Sequence, residues 1–92
     1  MNLFDAVIAN NVKVVRELLE KGVDPNSVED ADGVTLLHFA AQHNAIDSAK
    51  LLLAAGAKVD AETVEGITPL DVAKLHKHHN MIELLLRVKS SQ

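Results

Sequence analysis

Cysteine, tryptophan and tyrosine are absent from these 92 residues, and the aromatics are Phe4 and Phe39 alone. Without cysteine there is no disulfide framework and no thiolate chemistry. That favours an intracellular setting, and the chain is expected in the cytoplasm. With two aromatics, the core has to be assembled from Leu, Val, Ile and Ala, which suits short helices packed closely. Cations are also scarce. Nine Lys and Arg stand against thirteen Asp and Glu, a formal net charge of -4. Nucleic-acid affinity rests largely on phosphate neutralisation by Lys and Arg, so no nucleic-acid partner is expected. No apolar run approaches the roughly 20 residues needed to span a bilayer, and Met1–Asp5 has no basic n-region. No membrane association is expected either.

What is present is a globular balance, 48% apolar with 24% charged residues, and a repeat. Leu-Leu-Xaa-Xaa-Gly at Leu18–Gly22 recurs at Leu52–Gly56. Gly-Xaa-Thr at Gly33–Thr35 recurs at Gly66–Thr68, and Leu51-Leu52-Leu53 recurs at Leu84-Leu85-Leu86. A short chain repeating with a period of about 33 residues is two and a half to three copies of one supersecondary unit. Each copy must lean on its neighbour to bury its apolar face.

Six short helices are expected within that repeat: Leu3–Ala9, Val12–Glu20, one capped by Thr35 and ending near His43, Ile46–Ala54, one starting at Thr68-Pro69, and His79–Val88. Val12, Val15, Leu18 and Leu19 give the second an apolar stripe at helical spacing, and Ile46, Ala49, Leu52 and Leu53 do so for the fourth. Thr68 followed by Pro69 is a helix start with a mechanism. The hydroxyl accepts from an orphan N–H, and Pro fits the first turn, where no N–H is needed. Gly22 and Gly56 are placed to stop the second and fourth helices.

Thr35-Leu36-Leu37-His38-Phe39-Ala40 and Thr68-Pro69-Leu70-Asp71-Val72-Ala73 resemble the T-P-L-H-x-A signature of ankyrin repeats. Gly22-Val23-Asp24-Pro25-Asn26 and Gly56-Ala57-Lys58-Val59-Asp60 are similar to the G-A-D-V-N segment that follows the family's second helix. The resemblance covers essentially the whole chain. It implies an all-α ankyrin-repeat solenoid, a single domain over 1–92, with helix–turn–helix units of about 1–33, 34–66 and 67–92 joined by hairpin-like fingers. The departures from the pattern are specific. Leu36 replaces Pro and Asp71 replaces His. Asn10, Asn44 and Lys77 stand where the family has Gly between its two helices. Asn tolerates the left-handed conformation well, whereas Lys77 predicts a distorted turn. The finger from Gly22 to Gly33 is one residue longer than that from Gly56 to Gly66, which predicts a different tip. The last helix carries Asn80, Glu83, Arg87 and Lys89 and runs into Ser90-Ser91-Gln92, a polar end that suits a complete short protein.

Nothing in the chain has the spacing of a catalytic site. Ser27, Ser48, Ser90 and Ser91 have no acid–base partner at a meaningful distance in sequence, and no cofactor is expected. His76, His78 and His79 are three imidazoles within four residues and could chelate a metal. They straddle a helix–helix turn with no fourth ligand nearby, so the main expectation is no metal. By resemblance, His38 is structural, bonding across its turn and to the neighbouring finger.

Charge placement is the most informative feature. Glu29, Asp30 and Asp32 fall in the first finger, and Glu62 and Glu65 in the second. From Gly22 to Ala49 and from Val59 to Ala73 there is no Lys or Arg, while Lys13, Arg16, Lys50, Arg87 and Lys89 lie on second helices. Fingers and first helices form the concave side in ankyrin-like stacks, so an acidic front and a more basic back are expected. The resemblance implies a non-catalytic protein-binding module. Its partner-contacting positions map to Glu29, Ala31, Asp32, Val34, Gln42 and His43, and to Glu62, Val64, Glu65, Ile67, Leu75 and His76. Apolar centres ringed by charge are usual at interfaces, so the implied partner is a protein with a basic rim around an apolar anchor, bound by a monomer. Two alternatives remain open here: an engineered ankyrin scaffold that could be oligomeric, and a metal-binding protein using His76, His78 and His79.

Overall fold

The computed structural model describes residues 1–91 and contains six helices: α1 (Leu3–Ile8), α2 (Val12–Glu20), α3 (Leu36–Gln42), α4 (Ile46–Ala54), α5 (Pro69–Leu75) and α6 (His79–Ser91). Each helix pairs with its neighbour in sequence, α1 with α2, α3 with α4 and α5 with α6. The pairs then stack, α3 lying between α1 and α5 while α2 packs on α4. The architecture is the all-α solenoid that the repeat predicts. The core between the rows is Leu, Val and Ala with Met81. Leu36, Leu37, Leu52 and Leu85 are its largest buried leucines, and Ala6, Ala40, Ala49 and Ala73 let the helices approach closely. Phe4 and Phe39 meet edge to face, their ring centroids 5.6 Å apart, and join α1 to α3.

The helix starts follow the sequence. The Thr35 hydroxyl accepts from the His38 N–H and the Thr68 hydroxyl from the Asp71 N–H, and His38 and Asp71 reach back to the cap residue's own N–H. Two capping boxes result, one closed by an imidazole and one by a carboxylate. Hydrogen bonds from the Thr68 N–H and then from its hydroxyl hold the Asp71 carboxyl below its usual range. Two stops also match expectation. Gly22 and Gly56 take φ of +91° and +104°, a conformation in which a side chain would be strained. α6 departs from expectation and runs on to Ser91. Lys89 stands one repeat period after Gly56, so the position that stops α4 carries a good helix former here instead of a glycine.

The turn at Lys77 also differs from expectation. Lys77 adopts φ of 56°, close to the 50° of Asn10 and 54° of Asn44. The N–H one residue further on bonds back in the same way in all three turns, Asn11 to Ala6, Ala45 to Ala40 and His78 to Ala73, at 2.8, 2.9 and 3.0 Å. The surrounding helices therefore impose one turn geometry, and Lys77 adopts it at a cost. Left-handed backbone costs an ordinary residue about 1–2 kcal/mol, so Lys77→Gly is expected to raise stability by about 1 kcal/mol in urea denaturation. Asn10→Gly should have the opposite sign. The Asn10 Oδ1 accepts from the Ser48 N–H at 3.2 Å and the Ser48 hydroxyl at 2.7 Å, fixing the first turn to α4.

Candidate partner-binding face

Two fingers, residues 22–35 and 56–68, join the successive helix pairs. The first closes as a small hairpin. Val28 and Thr35 form an antiparallel bridge, and the Glu29 N–H donates to the Val34 carbonyl at 3.2 Å. In the second, the Thr63 N–H donates to the Ile67 carbonyl at 2.9 Å. The bonded pair is one residue closer in sequence there, so the extra residue of the first finger sits in its tip, as its length predicts. Side chains set the tips. The Asp30 carboxylate accepts from the Asp32 N–H, and the Thr63 hydroxyl lies within bonding distance of the Glu65 and Ile67 N–H groups.

The fingers are bonded to each other and to the helices. The Val64 N–H donates to the Asp32 carbonyl at 2.9 Å, tying the tips. At the base, Asn26 accepts from the Lys58 N–H at 2.9 Å and donates to the Gly56 carbonyl at 3.1 Å. His38 supplies the deepest tie. The Thr35 N–H donates to its Nδ1 at 3.1 Å, and its Nε2 lies 2.7 Å from the Ile67 carbonyl. Nδ1 must therefore accept, which puts the ring proton on Nε2, where it donates to Ile67. Burial pushes the His38 pKa below the ordinary imidazole value, against the opposing pull of the Ile67 carbonyl and the Asp71 charge. His38 is thus the bracing residue that its sequence position implies. No finger among the described residues lies beyond Asp71, and there the carboxylate serves the cap alone.

This frame holds five of the proposed contact residues around one groove. Asp32, Val34, Val64, Glu65 and Ile67, together with Thr63, line an open cleft of ≈ 160 Å³ between the fingers. Val64 is 71% exposed and Ile67 38%, while Val34 is half-buried. Glu29, Ala31 and Glu62 are exposed on the same fingers but do not line the cleft. Gln42, His43, Leu75 and His76 are exposed at the C-terminal ends of α3 and α5, and Leu75 reaches 77% exposure. Two further residues belong to the face without having been expected there. Thr63 carries no sequence signal that separates it from other finger residues. Ile8, another exposed apolar side chain, does have a readable one. When the repeats are superposed, Ile8 aligns with Gln42 and Gln42 with Leu75, so all three share one repeat position.

The back of the stack qualifies an expectation. Lys13, Arg16, Lys50, Arg87 and Lys89 are exposed on the second helices, but so are Glu17, Glu20, Asp47 and Glu83. That surface is more basic than the fingers but mixed in sign, and Arg87 pairs with Glu83 at 3.7 Å. The contrast between the faces comes from the scarcity of cations on the front, where the fingers and first helices carry only Lys58 at the finger base and Lys74 near the end of α5. Two of the clustered histidines are engaged with other groups. The His76 and His78 rings stack with centroids 5.7 Å apart, and the His78 Nε2 is 3.1 Å from the Gln42 carbonyl, so that nitrogen is already used. Among the described residues, no group of three or more His, Cys, Asp or Glu side chains is arranged to hold a metal ion. No helix among them is long and apolar enough to cross a membrane.

Comparison with known proteins agrees with this architecture. A family model for ankyrin repeats in three copies matches residues 3–92. Over 78 residues the chain is 42% identical to the potassium channel GORK of Arabidopsis thaliana, covering 85% of this chain and 9% of the channel. Over 68 residues it is 41% identical to the putative ankyrin repeat protein FPV222 of fowlpox virus, covering 74% of this chain and 9% of that protein. Over 72 residues it is 42% identical to the 2-5A-dependent ribonuclease of Mus musculus, covering 78% of this chain and 10% of the ribonuclease. The chain thus spans about a tenth of the length of these relatives. The stacked helix pairs, the capping boxes, the braced fingers and the family match lead to one conclusion: the chain belongs to the ankyrin-repeat family.

Proposed function

We propose that this chain is a non-catalytic protein-binding module that engages its partner on the finger and first-helix face. Ankyrin repeats generally mediate protein–protein interaction. The observation that carries the reading is the cleft between the fingers. Its apolar side chains Val34, Val64 and Ile67 are flanked by Asp32 and Glu65, and a backbone hydrogen bond between the tips holds the pair of fingers together. A braced surface loses little entropy on binding, and solvent-exposed valine and isoleucine gain from being covered. The partner that fits carries one apolar side chain between basic ones, with the basic groups steering approach to fingers on which carboxylates far outnumber the single Lys58.

The test is chemical-shift mapping with a short acetylated peptide in which lysines flank a single leucine. The amides of Asp32, Val34, Val64, Glu65 and Ile67 are expected to shift together and saturably. Shifts confined to α2, α4 and α6 would overturn the assignment of the face.

A further inference from the structure

The row of second helices is not packed evenly. α2 packs on α4, whereas α4 and α6 make little direct contact and leave an open groove of ≈ 240 Å³ between them. Helical spacing decides what lines it. Ile46 and Lys50, one turn apart, come from α4, and Asn80, Glu83, Leu84 and Arg87 come from one face of α6. Ile46 and Leu84 are half-buried and make its apolar part, while Lys50 and Arg87 are exposed, one on each wall. The one carboxylate in the lining is Glu83. It meets Arg87 at 3.7 Å with both side chains largely in water, a contact of little strength. Among the described residues no carboxylate is ion-paired with Lys50. The groove is too small for a drug-sized ligand and suits one or two side chains. Its chemistry fits an apolar side chain carried between carboxylates.

The second finger has that chemistry at its tip. Val64 is 71% exposed there, with the exposed Glu62 and Glu65 before and after it in sequence. Backbone bonds hold the tip in shape. The Gly66 N–H donates to the Thr63 carbonyl at 2.9 Å, and the Val64 N–H is tied to Asp32. A tip so held loses little entropy on docking. The front of the chain thus carries the complement of its back, Val64 between Glu62 and Glu65 against Ile46 and Leu84 between Lys50 and Arg87. The neighbouring groove, between α2 and α4, has one cation, Arg16, and one carboxylate, Glu20, and lacks this complementarity.

We infer that the groove between α4 and α6 is a docking site for the second fingertip of another copy of this chain. The inference rests on the finger-face reading and adds regulation to it. Val64 and Glu65 line the cleft, so a seated tip is closed to other partners. Tip and groove are different surfaces, so the contact is heterologous. Every assembly keeps one free tip and one free groove, and copies add head to tail instead of closing a two-fold dimer. A fingertip buries far less than the roughly 1,200 Å² of a stable interface, so association is weak and belongs to concentrated protein. The dilute chain stays monomeric, with its cleft open.

The test is sedimentation equilibrium up to millimolar chain, in about 0.01 M and about 1 M salt, where charges are screened over about 30 Å and about 3 Å. In low salt the weight-average mass should rise steadily with concentration, by at least half over the monomer value. In high salt the rise should vanish. Two variants separate the surfaces: a tip variant, Glu62→Lys with Glu65→Lys, and a groove variant, Lys50→Glu with Arg87→Glu. All four side chains are exposed, and circular dichroism checks that each variant is folded. Alone, each variant should stay monomeric, because like charges meet. Mixed in equal amounts the two should associate, since each then finds an opposite charge on the other. A mass independent of concentration, association by either variant alone, a mixture that stays monomeric, or a mass that levels off at two copies would overturn the inference. Regulation is read with the lysine–leucine peptide at millimolar chain in low salt. The peptide should bind wild type about twofold more weakly than the groove variant, by competition for tips about half occupied. Equal binding would overturn the regulatory part. Failure of the peptide to bind dilute wild type would count against the finger reading alone, because sedimentation reads self-association without it.

Discussion

Leu52→Ala is expected to lower the free energy of unfolding by about 2–5 kcal/mol, the usual range for truncating a buried leucine. Leu52 has no exposed surface and sits in α4, the second helix of the central pair, which packs on both α2 and α3. The truncation removes apolar contacts from the pair that joins the other two. In a stack this short each interface is a large share of the whole, so the loss is not buffered by distant repeats. Urea denaturation followed by circular dichroism measures it. A loss within the range of ordinary surface substitutions, about 0.5 kcal/mol or less, would mean that the helix phase deduced from the repeat is wrong.

His38 should produce the next largest effect, and one with a pH signature. His38→Ala deprives the Ile67 carbonyl and the Thr35 N–H of their partner, at an expected cost of about 2–3 kcal/mol. His38→Asp is the informative companion, because Asp71 shows that a carboxylate closes the same capping box. The aspartate should keep the local cap of α3 and lose the tie to the second finger, so hydrogen exchange at Thr63 and Ile67 should quicken in both variants while the start of α3 is spared in His38→Asp. The pH dependence follows from the lowered pKa of His38, caused first by burial. The unfolded chain takes up a proton at the ordinary imidazole value and the folded chain only below it. The His38 contribution is therefore complete above about pH 6.5, declines as the pH falls toward the lowered folded value, and is flat beneath that. Denaturation from pH 7.5 to 5 should show wild type losing stability relative to His38→Ala. A constant difference between them would show that His38 does not titrate differently in the two states.

Most of the fold is readable because its instructions are local. The bounds of α2 and α4 follow from apolar stripes ended by glycine, and the starts of α3 and α5 from Thr35 and Thr68. The departures arise where several elements act together on one residue. Lys77 has no intrinsic preference for left-handed backbone, yet the packing of α5 on α6 imposes it. Asn10 is legible as a turn residue, but its bonds to Ser48 join distant parts of the chain, and no local pattern encodes them. The candidate site divides in the same way. Exposed valines and isoleucine among carboxylates stand out as an anomaly at the finger positions. The tie between Val64 and Asp32 is made by backbone atoms, whose placement depends on how the repeats stack. The back face is more basic than the front, but Glu17, Glu20, Asp47 and Glu83 beside its cations make that excess small.

The claim that binding belongs to the acidic front is tested most directly by comparing two charge reversals. One variant carries Glu29→Lys, Asp32→Lys, Glu62→Lys and Glu65→Lys, and the other Lys13→Glu, Arg16→Glu and Lys50→Glu. All seven side chains are exposed, so both variants should keep a helical circular dichroism spectrum. Proteins retained from lysate by each immobilised variant are then quantified by mass spectrometry against wild type. The account predicts that partners held by wild type are lost from the finger variant and kept by the back variant. Steering by exposed charge is screened within about 10 Å at 0.1 M salt, so wild-type association should also slow with added salt more than that of the finger variant. Retention by the finger variant with loss from the back variant would contradict the account and move binding to α2 and α4.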